Sequence, residues 1–283
     1  MLELDNKIAA SHALLDEVLS DLDRQGKEVV GIVGLFSGGN DSTTLAHLFR
    51  QRVTAFVHSN TQIGVEPTRQ YVRDVCMRWG VPLLEGFPKP NRSFEALVLG
   101  EAYTTTPRAK YPILYRGGFP GPGAHGMFFK YLKGDWMNAV RQQLITNPRK
   151  QRLLYLGGRR SEESVRRKSK ISTLGATIVR GSGVWVDVIS DWTKADLSEY
   201  RSRCADCPMN QVAANLHMSG ECLCGCYAHA GEYEEIKFWY PETTDEIDDL
   251  AARLKRKELD IPAERLRWGW NGRGRCASGL CNN

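Results

Sequence analysis

The most constraining feature of the chain is an apolar run, Glu28–Phe36 (EVVGIVGLF), that passes directly into a glycine-containing turn and then into a segment with helical spacing. Continuous β-branched and apolar runs are typical of strands that are buried on both faces, as in parallel sheets. At the carboxyl end of such a strand, a glycine-rich turn lets backbone amides approach an anion while the next helix presents its N-terminus. The stretch SGGNDS, residues 37–42, lies at that place. It predicts a phosphate-binding loop.

Strand-like and helix-like segments alternate around this loop. A helix is predicted over residues 5–25, and the runs STTLAHLFRQR, VTAFVHSN, EPTRQYVRDVCMRWG and VPLLEGF then read as helix, strand, helix and strand. The alternation lapses at about 89–148, an insertion predicted to cover the sheet, and returns in RLLYLGGRRSEESVRR and VWVDVISDWTKADLSEYR. This order predicts an α/β fold with a doubly wound, mainly parallel sheet over residues 1–200, followed by a cysteine-rich region over 201–283 packed on it.

Charge and hydrophobicity narrow the class of protein. No apolar run approaches the roughly 18 residues of a membrane helix, and the N-terminal stretch is acidic and amphipathic, so we expect a cytoplasmic protein without a membrane partner. The net charge is only +5, but basic residues concentrate between Lys150 and Arg180. A basic patch of this kind predicts either an anionic ligand or a solvated surface.

Each residue type in the loop suits phosphate binding. Gly38 and Gly39 allow close backbone approach, Ser37 and Ser42 offer hydroxyl donors, and Asp41 could cap the helix or orient a metal or ribose contact. Neither the Walker pattern G-x-x-x-x-G-K-S/T nor the dinucleotide pattern G-x-G-x-x-G is present here. Another phosphate-binding template is therefore needed.

The loop resembles the S-G-G-x-D-S motif of the ATP pyrophosphatase (PP-loop) superfamily, and the chain looks most like its phosphoadenosine phosphosulfate (PAPS) reductase family. FVHSNTQIGVEPTRQYV, GGRRSEESVRR and VISDWTKADLSEY are similar to further segments of that family, so the resemblance spans about residues 28–200. It implies an adenine nucleotide alpha hydrolase-like fold that binds ATP with Mg²⁺. Asn40 stands where such proteins often carry Lys. The implied catalytic residues are Asp41, Arg159 and Arg160. The implied nucleotide contacts are Ser37, Gly38, Gly39, Asn40, Asp41, Ser42, Ser59, Asn60, Thr61, Arg166 and Arg167.

Seven of the eight cysteines lie after residue 200, in C-x-x-C, C-x-C-x-C and C-x-x-x-x-C spacings. In a reducing compartment such clustering favours metal ligation over disulfides. Four thiolates suit either a 4Fe-4S cluster or Zn²⁺, and the spacings follow neither ferredoxin pattern; metal-free redox thiols are a third alternative. The family resemblance favours the cluster, and Cys226 is expected to be the spare thiol. The candidate ligands are Cys204, Cys207, Cys222, Cys224, Cys276 and Cys281.

Three functions are compatible with these features. The first is an enzyme that cleaves ATP between its α and β phosphates and activates an acceptor for sulfur transfer, similar to the phosphorothioation-type and thiolation-type relatives. That resemblance implies DNA or another nucleic acid as acceptor and a cysteine desulfurase as sulfur donor. The second is a sulfonucleotide reductase, although the Glu-Cys-Gly-hydrophobe-His tail of true PAPS reductases is missing from the end of this chain. The third is a cysteine-metal nucleic-acid-binding module, with Lys130, Lys133 and the basic patch on phosphates. The sequence leaves the oligomeric state open.

Overall fold

A six-stranded sheet forms the centre of the protein, in the order β3-β2-β1-β4-β6-β5. The computed structural model describes residues 2–104, 113–163 and 176–271. All neighbouring strands are parallel except β5, which runs antiparallel to β6 at one edge. The mixed α/β class with a mainly parallel sheet is therefore confirmed. The strands are β1 (Glu28–Leu35), β2 (Ala55–Ser59), β3 (Leu83–Gly86), β4 (Gln151–Leu156), β5 (Thr177–Arg180) and β6 (Gly183–Val186).

Helices precede, connect and follow these strands. The first three are α1 (Leu2–Arg24), α2 (Asn40–Phe49) and α3 (Glu66–Trp79). The insertion contributes α4 (Phe94–Val98), α5 (His125–Phe129), a π-helical turn (Lys130–Gly134) and α6 (Asp135–Leu144). After the sheet come α7 (Lys194–Arg203), α8 (Gln211–Leu216), α9 (Glu232–Trp239) and α10 (Pro241–Arg256). The sequence pattern predicted no helix beyond residue 201, whereas the structure has α8, α9 and α10 there. Within the described ranges, no helix is both long and apolar enough to cross a membrane.

The sheet is covered on both faces, as the continuous apolar runs predict. Along β4, Leu154 and Leu156 belong to a hydrophobic cluster with α1, α2 and α7, which we call the α1-side cluster. The alternate residues Leu153 and Tyr155 belong to a second cluster, with Val140 of α6. Successive side chains of a strand point to opposite faces, so β4 is packed by helices above and below.

Signals read from the sequence fix several helix ends. Gly80 ends α3 with φ +63°, where its amide bonds to Cys76 and Met77. The spacing Thr193-x-x-Asp196 is a capping signal, and these two residues form a capping box at the start of α7, with both reciprocal hydrogen bonds present. Lys7 of α1 donates to Asp196 at 2.6 Å, which ties the N-terminal helix to that cap.

The insertion and the cysteine-rich region share one hydrophobic cluster, which we call the C-terminal cluster. Part of the insertion, α6, covers the sheet as predicted, but α4 and α5 pack against helices that follow residue 210. The boundary near residue 200 stays a prediction, because the two parts are built around common apolar residues. The buried members of the C-terminal cluster include Phe94, Leu97, Phe119, Phe128, Val212, Leu216, Ile236, Leu250 and Leu254.

Candidate functional site

The predicted phosphate-binding loop lies at the carboxyl end of β1, between Leu35 and the start of α2. Gly38 adopts φ +78°, and a Cβ there would come within 2.9 Å of Thr68 Cγ2, so both conformation and space demand glycine. Ser37 Oγ and Ser42 Oγ are 3.1 Å apart, which gives the loop a pair of adjacent hydroxyls. The N-terminus of α2, whose first amides have no acceptor within the helix, completes a surface suited to an anion.

Asp41 does not cap α2, because the N-cap residue is Gly39 and no side chain makes a capping hydrogen bond at this helix start. Instead, Asp41 Oδ2 lies 3.2 Å from Arg160 Nε. Arg160 is buried and also approaches Glu162 Oε2 at 3.1 Å. Two of the predicted catalytic residues are therefore brought together, with the carboxylate of one beside the guanidinium of the other.

Arg159, the third predicted catalytic residue, lies at the end of β4 and is oriented by Asp187. Its Nε donates to Asp187 Oδ1 at 3.0 Å, and a second nitrogen donates to Oδ2. Asp187 is only 1% exposed, and a Cβ on Gly157 would come within 2.5 Å of its Oδ1. This paired, fork-like contact fixes the guanidinium plane in a way that lysine could not reproduce. Arg166 and Arg167 lie outside the described residues.

The residues after β2 are held in internal hydrogen bonds. Asn60 is buried, and its Nδ2 donates to Glu85 Oε1 at 2.8 Å. Thr61 is fully buried, and its Oγ1 donates to the carbonyl of Glu221 at 2.7 Å. Ser59 is half-buried at the strand end. These contacts make the segment a rigid wall beside the loop; whether it borders an adenosine stays a prediction.

A buried histidine–glutamate pair, which sequence reasoning missed, joins this wall to the cysteine region. His58 Nδ1 donates to the carbonyl of Phe36 at 2.8 Å, since that oxygen can only accept. Its Nε2 lies 3.1 Å from Glu221 Oε2, and both side chains are 1% exposed. Glu221 Oε1 in turn accepts from the amide of Thr61. The pair thus ties the residue before the phosphate loop to the residue before Cys222.

The backbone reinforces the same connection. Leu223 N donates to Ile63 O at 2.7 Å, and Val65 N donates to Gly220 O at 2.8 Å. The approach is so close that a Cβ on Gly64 would lie 2.3 Å from Glu221 O. The loop after β2 and the start of the cysteine region therefore form one unit. A C-x-C-x-C spacing gives no sign of this contact, because the partners are about 160 residues apart in sequence.

The three cysteines of this region form a thiol cluster of Cys222, Cys224 and Cys226. Cys222 and Cys224 are partly exposed. Cys226, which was expected to be the spare thiol, is buried and shares a hydrogen bond with Cys224. The hydrogen bond with Cys222 lowers the pKa of Cys224, but the bond with Cys226 and burial outweigh it and raise that pKa to about 11. The hydrogen bond with Cys224, together with burial, raises the pKa of Cys222. Without a bound metal, Cys222 and Cys224 are therefore thiols at neutral pH.

Lys133 lies near the thiol cluster. Burial lowers the pKa of Lys133, but the charges of Cys222, Glu221 and Cys224 outweigh it, and the pKa lies above the usual 10.5. Lys133 belongs to the π-helical turn between α5 and α6, and such turns are frequent at functional sites. A single cation is therefore placed next to groups that become anionic when they bind metal or sulfur.

Cys204 and Cys207 are separated from the thiol cluster. They follow α7 and pack against the α1-side cluster, whereas Cys222 and Cys224 pack against the C-terminal cluster. Cys207 N donates to Cys204 O at 2.9 Å in a tight turn, and burial raises the pKa of Cys207 to about 12. Cys76 is buried in α3, as expected for a core residue.

The donor set described here does not by itself hold a metal ion. Within residues 2–104, 113–163 and 176–271, no group of three His, Cys, Asp or Glu side chains is arranged for one. Cys276 and Cys281 lie outside the described residues. The chain approaches the thiol cluster just before them, because Trp268 Nε1 donates to Leu223 O and Asn271 Nδ2 donates to Cys226 O at 2.9 Å. The last described residue, Asn271, therefore lies against the thiol cluster.

No protein-family model and no curated protein matches the chain. Among solved structures, it is similar to phosphoadenylyl-sulfate (PAPS) reductase from Candida auris in its phosphate complex, with 14% identity, a TM-score of 0.43, and coverage of 65% of this chain and 76% of that one. It is also similar to the U34-tRNA thiolase NcsA from Methanococcus maripaludis with its 4Fe-4S cluster, with 10% identity, a TM-score of 0.39, and coverage of 89% and 81%.

Proposed function

We propose that the protein is an ATP-dependent enzyme that cleaves the nucleotide between its α and β phosphates and activates an acceptor for sulfur transfer. The observation that carries the proposal is the buried His58–Glu221 contact, since it joins a phosphate-binding loop to a thiol cluster. Activation of an acceptor and delivery of sulfur to it require these two sites in one rigid unit.

In this proposal, the loop amides and the hydroxyls of Ser37 and Ser42 bind the pyrophosphate portion of ATP. Asp41 would hold Mg²⁺, and the ion would supply neutralisation of the phosphate charge. Arg160, buried beside Asp41, supplies a fixed positive charge near the bond that breaks, where negative charge develops on the leaving pyrophosphate. Arg159, oriented by Asp187, binds a phosphate oxygen with its remaining donors.

Sulfur handling is assigned to the thiol cluster, with a cysteine desulfurase as donor. Cys222 and Cys224, with a ligand from residues 272–283, would hold a 4Fe-4S cluster or, as the alternative, Zn²⁺. The cluster, when bound, supplies an iron that can carry a sulfur atom. Lys133 offsets the negative charge of the thiolates. Glu221 holds the neighbouring Cys222 in a fixed position relative to the phosphate loop.

Pyrophosphate release from anaerobically purified protein tests the enzyme class. We expect release that requires both ATP and Mg²⁺, and a loss of ATP affinity of about 1–3 kcal/mol in Asp41→Ala, measured by calorimetry. Cys222→Ser should leave ATP affinity unchanged while abolishing sulfur transfer to the acceptor. Unchanged ATP affinity in folded Asp41→Ala would contradict the assignment of residues 37–42 as the phosphate-binding loop. Reduction of a sulfonucleotide without ATP would favour the reductase instead.

A further inference from the structure

The asparagine that begins α8 also contacts the phosphate-binding loop. Asn210 Nδ2 donates to the carbonyl of Gly38 at 2.9 Å and to Thr68 Oγ1 at 3.1 Å. Its Oδ1 accepts from the amide of Val212 at 3.0 Å, which makes Asn210 the N-cap residue of α8. The side chain is buried, and it lies 172 positions from Gly38 in the chain. One side chain therefore holds a helix start and a loop carbonyl together.

Only one orientation of this side-chain amide satisfies its contacts. The two hydrogens of Asn210 Nδ2 meet two acceptors, and Oδ1 meets one donor. The reversed amide would place its oxygen against the carbonyl of Gly38, and two acceptors cannot bond to each other. Thr68 Oγ1 uses its own hydrogen on the carbonyl of Ser219, at 2.6 Å, and so acts as an acceptor towards Asn210. The network therefore fixes the carbonyl of Gly38.

A fixed carbonyl at Gly38 also fixes the direction of the next amide. The described residues contain no cis peptide bond, and in a trans peptide the C=O and N–H bonds point to opposite sides. The N–H of Gly39 therefore points away from Asn210. Among the residues that the structure describes, it has no hydrogen-bond acceptor. A fixed donor without a protein acceptor, at the start of a helix, suits an anionic ligand.

Further contacts hold the segment between α7 and α8 against the loop and α3. Arg201, near the end of α7, donates to Asn40 Oδ1 at the start of α2. The hydroxyl of Tyr71, in α3, donates to the carbonyl of Pro208 at 3.2 Å. Asn210 is therefore the last of several contacts that this segment makes with the phosphate loop and its neighbours.

We propose that Asn210 is a positioning residue of the phosphate site, which holds the carbonyl of Gly38 and so directs the N–H of Gly39 towards a bound pyrophosphate group. The inference rests on the proposed function, because it concerns the loop assigned there to the pyrophosphate portion of ATP. Asn210 acts through Gly39 and does not itself touch the ligand. It lies three residues after Cys207, so the cysteine-rich region contributes to phosphate binding as well as to sulfur handling.

Calorimetry with inorganic pyrophosphate and the full chain tests this role without turnover. Asn210→Ser keeps an oxygen that can cap α8, but its side chain is too short to reach the carbonyl of Gly38, whereas Asn210→Ala loses both contacts. Both variants should weaken pyrophosphate binding about five- to tenfold, the effect of losing one hydrogen bond. Because only Asn210→Ala also loses the cap, its Tm should be about 2–4 °C below that of Asn210→Ser.

Asn215→Ser is the matched control, because Asn215 also lies on α8 and its side chain donates to Tyr240 Oη at 3.1 Å. This control should bind pyrophosphate within about twofold of the unmodified protein. If Asn210→Ser binds pyrophosphate as tightly as the unmodified protein, Asn210 acts as a cap alone and the proposal is wrong. Equal losses of affinity in Asn210→Ser and Asn215→Ser would also overturn it.

Nuclear magnetic resonance of the Gly39 amide keeps the proposal testable if the Asn210 variants do not fold. Labelling with ¹³C-carbonyl, ¹⁵N-glycine selects amides that follow a glycine, and Gly39 is one of these. In the unmodified protein, pyrophosphate should move the Gly39 amide proton downfield, because this N–H gains an anionic acceptor. In folded Asn210→Ser, saturating pyrophosphate should move it less. A resonance that does not move in the unmodified protein would contradict the proposal.

The positioning role and the enzyme class can fail separately. If pyrophosphate binding depends on Asn210 but ATP releases no pyrophosphate, the enzyme class fails and the positioning role stands. If ATP is cleaved but Asn210→Ser binds pyrophosphate normally, only the positioning role is rejected. If the unmodified protein binds no pyrophosphate, both the positioning role and the assignment of the phosphate-binding loop are wrong.

Discussion

At the scale of single residues, Arg159 is held by a carboxylate that has almost no contact with solvent. The pair with Asp187 was not foreseen from the sequence, where Arg159 was expected to matter more for turnover than for stability. Because Asp187 is buried, any change that removes one of its donors leaves a charged group incompletely paired. Arg159 therefore matters for folding as well as for binding a ligand.

Arg159→Lys should lower the free energy of unfolding by about 1–3 kcal/mol, since lysine keeps the charge but loses the planar pair of donors. Urea denaturation measures this cost, and pyrophosphate release measures the loss of turnover. Arg149→Lys serves as the control, because Arg149 is exposed. A folded Arg159→Lys protein as stable as the unmodified one would show that the contact with Asp187 carries no net stability.

At the scale of elements, α1 and α7 are joined through one carboxylate. Asp196 accepts from Lys7 Nζ and from the amide of Thr193, both at 2.6 Å. Burial alone would raise the pKa of Asp196, but the hydrogen bonds from Lys7 and Thr193 outweigh it and hold that pKa below 3.8. The bond to Asp196 raises the pKa of Lys7 above 10.5.

The sign of the pH dependence follows from these shifts. The contribution of Asp196 is present above its unfolded pKa of 3.8 and is lost as the pH falls through the lower folded value. The contribution of Lys7 is present below 10.5 and is lost as the pH rises through its raised folded value. Asp196→Asn should therefore destabilise by about 1–2 kcal/mol near neutral pH, and the difference should shrink as the pH falls below 3.8 and through the folded pKa. Chemical denaturation at several pH values checks this; a constant difference down to pH 2 would contradict it.

Local sequence signals predicted the strands and helix ends well where the structure depends on residues that are close together in the chain. The apolar runs gave the central strands, and Gly80 and the Thr193–Asp196 pair gave helix ends, because each acts on its immediate neighbours. The sequence could not reveal that Glu221 meets His58, since a lone glutamate before a cysteine has no periodicity to interpret. Asp41 was read as a cap or a metal or ribose contact, and its arginine partner depends on how two strands end side by side. The roles of these residues in binding stay predictions.

At the scale of the whole molecule, the C-terminal cluster makes the insertion and the last helices one cooperative unit. Leu254 of α10 is fully buried in this cluster, and Leu97 of α4 belongs to the same cluster. The α1-side cluster on the sheet is separate and includes Leu15, also fully buried. Regions that share buried apolar contacts open together in hydrogen exchange.

Leu254→Ala should cost about 2–5 kcal/mol and should speed amide exchange in α4 and α10 together while the strands stay protected. Leu15→Ala is a control of the same chemistry on the other side, and it should loosen α1 and α7 instead. Mass spectrometry of exchanged peptides measures both. If α4 stays protected in Leu254→Ala, the insertion does not depend on the C-terminal helices.

The pairing of β1 with β4 has a consequence for how the chain is made. Glu28 and Gln151 are partners in the middle of the sheet although they lie 123 residues apart. Contacts of such long range are slow to form, because a large loop must close first. During synthesis, β1 keeps one unpaired, apolar edge for about 6–25 s, at the usual 5–20 residues per second. Such an edge can pair with other chains, so the yield of folded protein should depend on chaperones that bind the newly made N-terminal half.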